Sequence, residues 1–179
     1  MHPAPVGIRR GVVADASVLA AFAARTFAET FADTNTPEDM EAHLARSYGV
    51  PQQTAELTNP EMVTLLAEQR GTLLAYAQLR RGPQPACVDA AGAVELQRFY
   101  VDRSAHGSGV ARLLMTAVNE AAAASGARHL WLGVWEHNPR AIRFYEKCGF
   151  VDVGSQTFVL GTDPQTDRVM VAAVASPAS

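Results

Sequence analysis

Cysteine is scarce in this chain. Two are present, Cys87 and Cys148, in 179 residues, with no C-x-x-C. That count supports neither a disulfide framework nor a zinc site held by cysteines. His2, His43, His129 and His137 lie at none of the His-x3-His or carboxylate spacings of a metal centre, so no metal is expected. No run of about 18 apolar residues occurs, so no membrane span is expected. The opening MHPAPVGIRR has no apolar signal core, and a soluble, cytoplasmic protein is expected. An excess of positive charge is missing too. The formal net charge is −3, whereas a nucleic-acid partner wants a basic face. The spacings G-x-x-x-x-G-K-[ST], G-x-G-x-x-G and G-x-S-x-G are all absent, which sets aside a nucleotide P-loop, a Rossmann site and a nucleophile elbow. Repeats, low-complexity tracts and long linkers are lacking, so one domain over 1–179 is expected.

What remains is an ordinary globular composition, 48% hydrophobic and 18% charged. VGIRRGVV (6–13) reads as a first strand, and Asp15 as the N-cap of a helix carrying Leu19, Phe22, Ala23, Thr26, Phe27 and Phe31 at helical spacing. Thr36-Pro37-Glu38-Asp39 has the cap, proline and first-turn acids of a second helix start. Strands are expected at about 62–68 and 72–80 around Gln69-Arg70-Gly71. After a Gly/Pro/Ala loop at 82–93, VELQRFYV (94–101) forms another strand. Val110, Leu113, Leu114, Ala117, Val118 and Ala121 give a helical stripe ending at Ser125-Gly126. A strand at 129–135, a helix from Pro139 to Cys148 stopped by Gly149, and strands in FVDVGSQTFVL and RVMVAAV complete the chain. This interleaving predicts a mixed α/β (α+β) fold.

The stretch AHGSGVARLL (105–114) places Gly107 and Gly109 where a helix begins. Glycine is a poor helix former but lets backbone come close to another group or adopt positive φ. A helix start offers free N–H groups and a positive dipole end, so a phosphate cradle using the N–H groups of roughly 107–111 is one reading. A glycine turn without a ligand is the other.

WLGVWEHNPRAIRFYEKCGF (131–150) separates the two readings. Together the stretches resemble the GNAT superfamily of acetyl-CoA-dependent N-acetyltransferases. HGSGVA matches the Q/R-x-x-G-x-G/A signature through Gly109 and Ala111, with Gly107 as a common extra glycine and His106 where Gln or Arg is usual. Glu136-His137-Asn138-Pro139, Ala141, Ile142, Phe144-Tyr145 and Lys147-Cys148-Gly149-Phe150 match the second hallmark, with Cys148 where leucine is common. TFAETFADTNTPEDMEAHL (26–44) is similar, more weakly, to a bacterial branch that includes polyamine acetyltransferases.

The resemblance implies a mixed, mostly antiparallel sheet of about seven strands, splayed at strand 94–101 and flanked by about four helices. It implies that His106, Gly107, Ser108, Gly109, Val110 and Ala111 form the loop around the pyrophosphate of coenzyme A. It gives main-chain groups of Phe99, Tyr100 and Val101 to the pantetheine arm, and gives cofactor contacts to Asn138 and Tyr145. His106 can equally be an exposed loop residue, Phe99 and Tyr100 are also plausible core residues, and Asn138 before Pro139 is a sound N-cap in either case. An amine with a pKa near 10.4 must lose a proton before attack, and the departing thiolate must gain one. Glu95, at the spacing of the family's glutamate base, and Tyr145, at the place of its general acid, are the candidates. Glu95 can also be merely the exposed start of a strand, and Tyr145 an aromatic on the core face of its helix. Direct transfer from acetyl-CoA to a primary amine of a small cationic molecule is expected, with no metal, no nucleic acid, no membrane and a homodimer allowed. Glu29, Asp33, Glu38, Asp39 and Glu41 are candidates to border the acceptor. The rival is a GNAT-fold binding module that senses acyl-CoA or a metabolite without turnover.

Overall fold

A computed structural model describes residues 4–175; His2 and both ends of the expected 1–179 domain lie outside the described residues. In chain order it contains β1 (Gly7–Arg10), α1 (Ala16–Phe31), α2 (Pro37–Tyr48), α3 (Val50–Thr58), β2 (Met62–Gln69), β3 (Thr72–Arg80), β4 (Val94–Val101), α4 (Val110–Ala124), β5 (His129–Trp135), α5 (Pro139–Lys147), β6 (Val151–Leu160) and β7 (Asp163–Ala173). The strands form one seven-stranded sheet in the order β1-β2-β3-β4-β5-β7-β6. Every pairing is antiparallel except β4 with β5. The mixed, mostly antiparallel sheet and its four expected helices are present, with a short fifth helix added.

Alternation along the strands decides what covers each face. Ala75, Ala77 and Leu79 of β3, Val94 and Leu96 of β4, and Leu130, Leu132 and Val134 of β5 bury against Val110, Leu114 and Val118 of α4 and Tyr145 of α5. Tyr76 of β3 joins Leu19, Phe22, Ala23 and Phe27 of α1 on the other face. Leu114 and Val118 are fully buried, and each such side chain contributes on the order of 2 kcal/mol of apolar burial.

A bulge in β4 changes which residues look which way. Leu79 opposes Leu96 and Gln78 opposes Arg98, so Gln97 is the extra residue. Leu96 therefore faces the α4 side, whereas Phe99 and Val101 pack toward it beyond the bulge and Tyr100 joins the α1 side. The sheet then opens. β4 and β5 pair only at Val94↔Leu130 and Glu95↔Trp131, and beyond Glu95 the two strands separate. This is the splay expected at 94–101.

Some local readings are corrected. β1 ends at Arg10, and Val13–Asp15 form a 3-10 turn instead of continuing the strand. Asp15 makes no side-chain cap on α1. It accepts from Val12 N at 2.8 Å and from both terminal nitrogens of Arg9 at 2.8 Å, so the ion pair takes the carboxylate away from the helix. The unforeseen α3 has Pro51 in its first turn and buries Gln53 and Glu56, polar residues that give no hydrophobic period to read. Leu113, expected in the buried stripe of α4, is 41% exposed. β7 starts at Asp163, before RVM, where Asp163 to Asp167 pair with β6, and Gln165 to Asp167 carry no apolar alternation to announce it.

Candidate active site

The splay opens into a cleft of about 1290 Å³. One end is the loop ahead of α4. Asp102 caps its turn by accepting from Ser104 N (2.8 Å) and Ser104 Oγ (2.6 Å). Those bonds and the Arg25 guanidinium hold the Asp102 carboxyl down at about 2. Gly107 and Gly109 have φ of 78° and 89°, in the left-handed region that favours glycine. A Cβ built on either would meet no protein atom within 4 Å. The backbone therefore demands glycine, and the space above it is open. Gly109 is the N-cap of α4, whose first-turn N–H groups have no intrahelical acceptor. The α4 N-terminus thus presents donors and a positive dipole end to the cleft.

The loop residues do not all share this role. His106, Gly107, Gly109 and Ala111 line the cleft. Ser108 donates its N–H (3.2 Å) and its hydroxyl (2.6 Å) to the Ala105 carbonyl, so both donors are spent within the turn. Val110 buries its side chain in the core and can contribute only its backbone N–H. His106 Nε2 lies 3.1 Å from the Val101 carbonyl oxygen, so that carbonyl already has a partner, unlike the free edge expected of it. Arg112 and Arg140 also line the cleft. Sequence reading passed over them, although the apolar stripe of α4 leaves Arg112 on the exposed side.

Phe99, Tyr100 and Val101 line the cleft along the edge of β4 that has lost its β5 partner. Tyr100 stacks on Tyr76, ring centroids 5.8 Å apart, and Phe99 meets Tyr145 edge-on at 6.2 Å, so core and cleft roles coincide. Asn138 accepts from Ala141 N (3.2 Å) as the N-cap of α5, and it lines the cleft as well. Tyr145 is buried against Phe144 and Phe150, and burial pushes its phenol well above the usual tyrosine range. It keeps its proton until a strong base forms beside it. Glu95 accepts two hydrogen bonds from Arg80, and burial outweighs this guanidinium in raising its carboxyl.

Several cleft residues gave no sequence signal. Gln97, the bulge residue, has a buried Oε1 with no partner. Arg98 donates to Glu56 and to Gln78 Oε1 (2.6 Å) and lies over the Tyr48 ring at 4.8 Å. Asp167 of β7 is 9% exposed, and burial pushes its carboxyl up to about 6. Of the acids expected to border the acceptor, only Glu29 lines the cleft, and it is bound to Arg25 at 3.1 Å. Asp39 instead accepts from Thr162 N (2.7 Å), tying the β6–β7 turn to α2. Asp33, Glu38 and Glu41 are exposed away from the cleft. Among the described residues no group of three or more His, Cys, Asp or Glu is placed to hold a metal ion, and no helix is long and apolar enough to cross a membrane.

A parallel strand pair that parts over a glycine-rich helix start, with a buried tyrosine lining the opening, is the arrangement that the resemblance to the N-acetyltransferase class of acyltransferase implies. The chain belongs to the acetyltransferase (GNAT) family, whose sequence profile matches residues 24–150. It is 38% identical over 157 residues to an uncharacterised N-acetyltransferase of Mycobacterium tuberculosis, covering 88% of this chain and 96% of that one. A probable spermine N(1)-acetyltransferase of Bacillus subtilis subsp. natto is 28% identical over 89 residues, 49% of this chain and 59% of that protein. The fold matches the PaiA N-acetyltransferase of Thermoplasma acidophilum, solved in complex with coenzyme A, with a TM-score of 0.75 at 20% identity, covering 94% and 99% of the two chains. The chain is thus an acyltransferase, and acetyl-CoA is the acetyl donor that its family uses.

Proposed function

We propose that the protein, as one domain over 1–179, transfers the acetyl group of acetyl-CoA directly to the primary amine of a small cationic molecule. The carrying observation is the meeting of three features in one cleft: the unpaired edge of β4, the open glycine loop at the start of α4, and the buried Tyr145. The first-turn N–H groups of α4, beside Gly107 and Gly109, are donors for a pyrophosphate. The free edge of β4 at Phe99 and Tyr100 offers main-chain groups to an amide-bearing arm, as a neighbouring strand would. Acetyl-CoA, when bound, supplies a thioester carbon for attack by the amine nitrogen.

The chain's own task is to move two protons. The Glu95 carboxylate accepts one from the amine, directly or through a water. Tyr145 Oη gives one to the departing sulfur, and its raised pKa keeps that proton in place beforehand. A backbone N–H on the free edge of β4 would stabilise the developing oxyanion. Among the described residues no cysteine lines the cleft, which favours direct transfer. A soluble protein in the cytoplasm, free of membrane and nucleic-acid partners and with a homodimer allowed, belongs to the same proposal.

The test is coenzyme A release from acetyl-CoA over a panel of primary amines, with the acetylated product identified by mass. N-acetylated amine formed in step with free thiol is the expected result. Thiol release with no acetylated amine, or no release with any amine, contradicts the proposal.

A further inference from the structure

Three adjacent strands bring together residues far apart in sequence. Asp167 of β7 sits directly opposite Trp135 of β5 on one side and Gln156 of β6 on the other. Gly133, two residues before Trp135, lies diagonally below. A Cβ on Gly133 would lie 3.0 Å from Asp167 Oδ2 and 2.6 Å from Gln156 Nε2. Its absence lets the carboxylate and the amide close over Gly133 in the cleft wall. All four residues line the cleft.

Among the described residues Asp167 makes no side-chain hydrogen bond and no ion pair, although it is buried. A buried carboxylate without a cation is costly, and proteins rarely retain one without use. The other carboxylates lining the cleft are taken: Glu29 by Arg25 and Arg103, Glu95 by Arg80. Aromatic rings share the rest of the cleft wall with polar side chains such as Thr30, Thr157 and Gln165. Phe31 meets Trp135 edge-on with centroids 5.8 Å apart, and His43 stacks on Phe27 at 4.6 Å. Burial, with Arg46 and Arg98 nearby, lowers the His43 imidazole to about 4, so it is neutral at pH 7 and adds no charge to this wall.

We infer that the acceptor end of the cleft takes an amine with one ammonium group on an apolar, aromatic-sized body, Asp167 receiving the ammonium on entry and Phe31 with Trp135 receiving the body, while the proton the amine then loses passes to Glu95 through water. This rests on the acetyl-transfer reading and narrows it. The second charge of a polyamine would find no free carboxylate here among the described residues, and the guanidinium groups of Arg112 and Arg140, which line the cleft without an ion pair among the described residues, would repel it. Bringing an ammonium to Asp167 also returns its carboxyl toward the ordinary carboxylate range, because an opposite charge favours the ionised form.

The experiment uses an amine that cannot be acetylated. N,N-dimethylbenzylamine is titrated calorimetrically into the full-length protein saturated with coenzyme A, alongside spermine and trimethylamine. The expected order is tightest binding for dimethylbenzylamine. Asp167→Asn should weaken it by about 10-fold or more, the size of a lost charge-assisted bond, while coenzyme A binding stays unchanged and reports a folded variant. Phe31→Ala should weaken dimethylbenzylamine but not trimethylamine. Tighter binding of spermine, or equal affinity of wild type and Asp167→Asn, overturns the inference. The acetyl-transfer reading fails separately, by the absence of N-acetylated product from primary amines, whatever this titration shows.

Discussion

Glu95 and Arg80 are joined by two hydrogen bonds, from Nε at 2.9 Å and from Nη2 at 2.6 Å. They face each other in register across β3 and β4. The guanidinium favours the carboxylate while burial opposes it, and burial prevails. Removing the charge with Arg80→Met leaves burial opposed only by Arg98 and raises Glu95 further. A base with a higher pKa becomes available only at higher pH. The acidic limb of the kcat/KM profile should therefore move to higher pH in Arg80→Met and vanish or reshape in Glu95→Gln. Profiles that overlay the wild type in both variants remove Glu95 from the base role.

Tyr145→Phe keeps the ring against Phe99 and Phe150 and deletes only the hydroxyl. General acid catalysis is worth about 10²–10⁴-fold. Steady-state kcat should fall by that factor with acetyl-CoA affinity nearly unchanged. Retention of more than about half the wild-type kcat would mean that the thiolate leaves without Tyr145.

Gly109 is held at φ 89°, so any side chain there strains the backbone regardless of space. Gly149, at φ 91°, follows α5 away from the cleft and serves as a control. Each alanine substitution should cost about 1–2 kcal/mol of stability. Only Gly109→Ala or Gly109→Val should also weaken acetyl-CoA binding, by about 10-fold or more. Equal calorimetric affinities in the folded Gly109 and Gly149 variants would refute the phosphate cradle.

Asp167 and His43 set opposite pH slopes on stability. The Asp167 carboxyl titrates near 6 when folded and 3.8 when unfolded, so between these values the folded state holds a proton the unfolded chain has released. Stability falls as pH rises through that window. His43 titrates near 4 when folded and 6.5 when unfolded, so the unfolded chain binds the extra proton and stability falls as pH drops through its window. Asp167→Asn should therefore stabilise the protein at pH 7 by on the order of 2 kcal/mol, a gain that fades below about pH 4. It should also lay bare the acid-side loss due to His43. Urea unfolding of both proteins at several pH values checks this, and an Asp167→Asn variant no more stable than wild type at neutral pH contradicts it.

The helices that carry the site were legible because their apolar spacing, caps and glycine punctuation are local. Asn138 before Pro139 and the stripe of Val110, Leu114 and Val118 are examples. α3 was invisible because its buried residues, Gln53 and Glu56, are polar. The Asp167 wall of the cleft was invisible for a different reason. Gly133, Gln156 and Asp167 meet only because β7 inserts between β5 and β6, and an acid in a strand looks like a solvated one until its neighbours are known. Gln97 likewise owes its position to a register shift that no residue in β4 announces.

The central claim is direct transfer between two substrates held together in one cleft. Initial rates measured over a matrix of acetyl-CoA and amine concentrations test it most directly. Intersecting double-reciprocal lines, with no acetylated protein detected by mass when acetyl-CoA is added alone, are the predicted result. Parallel lines together with an acetylated protein would contradict it, because the acetyl group would then be passing through a side chain of the protein.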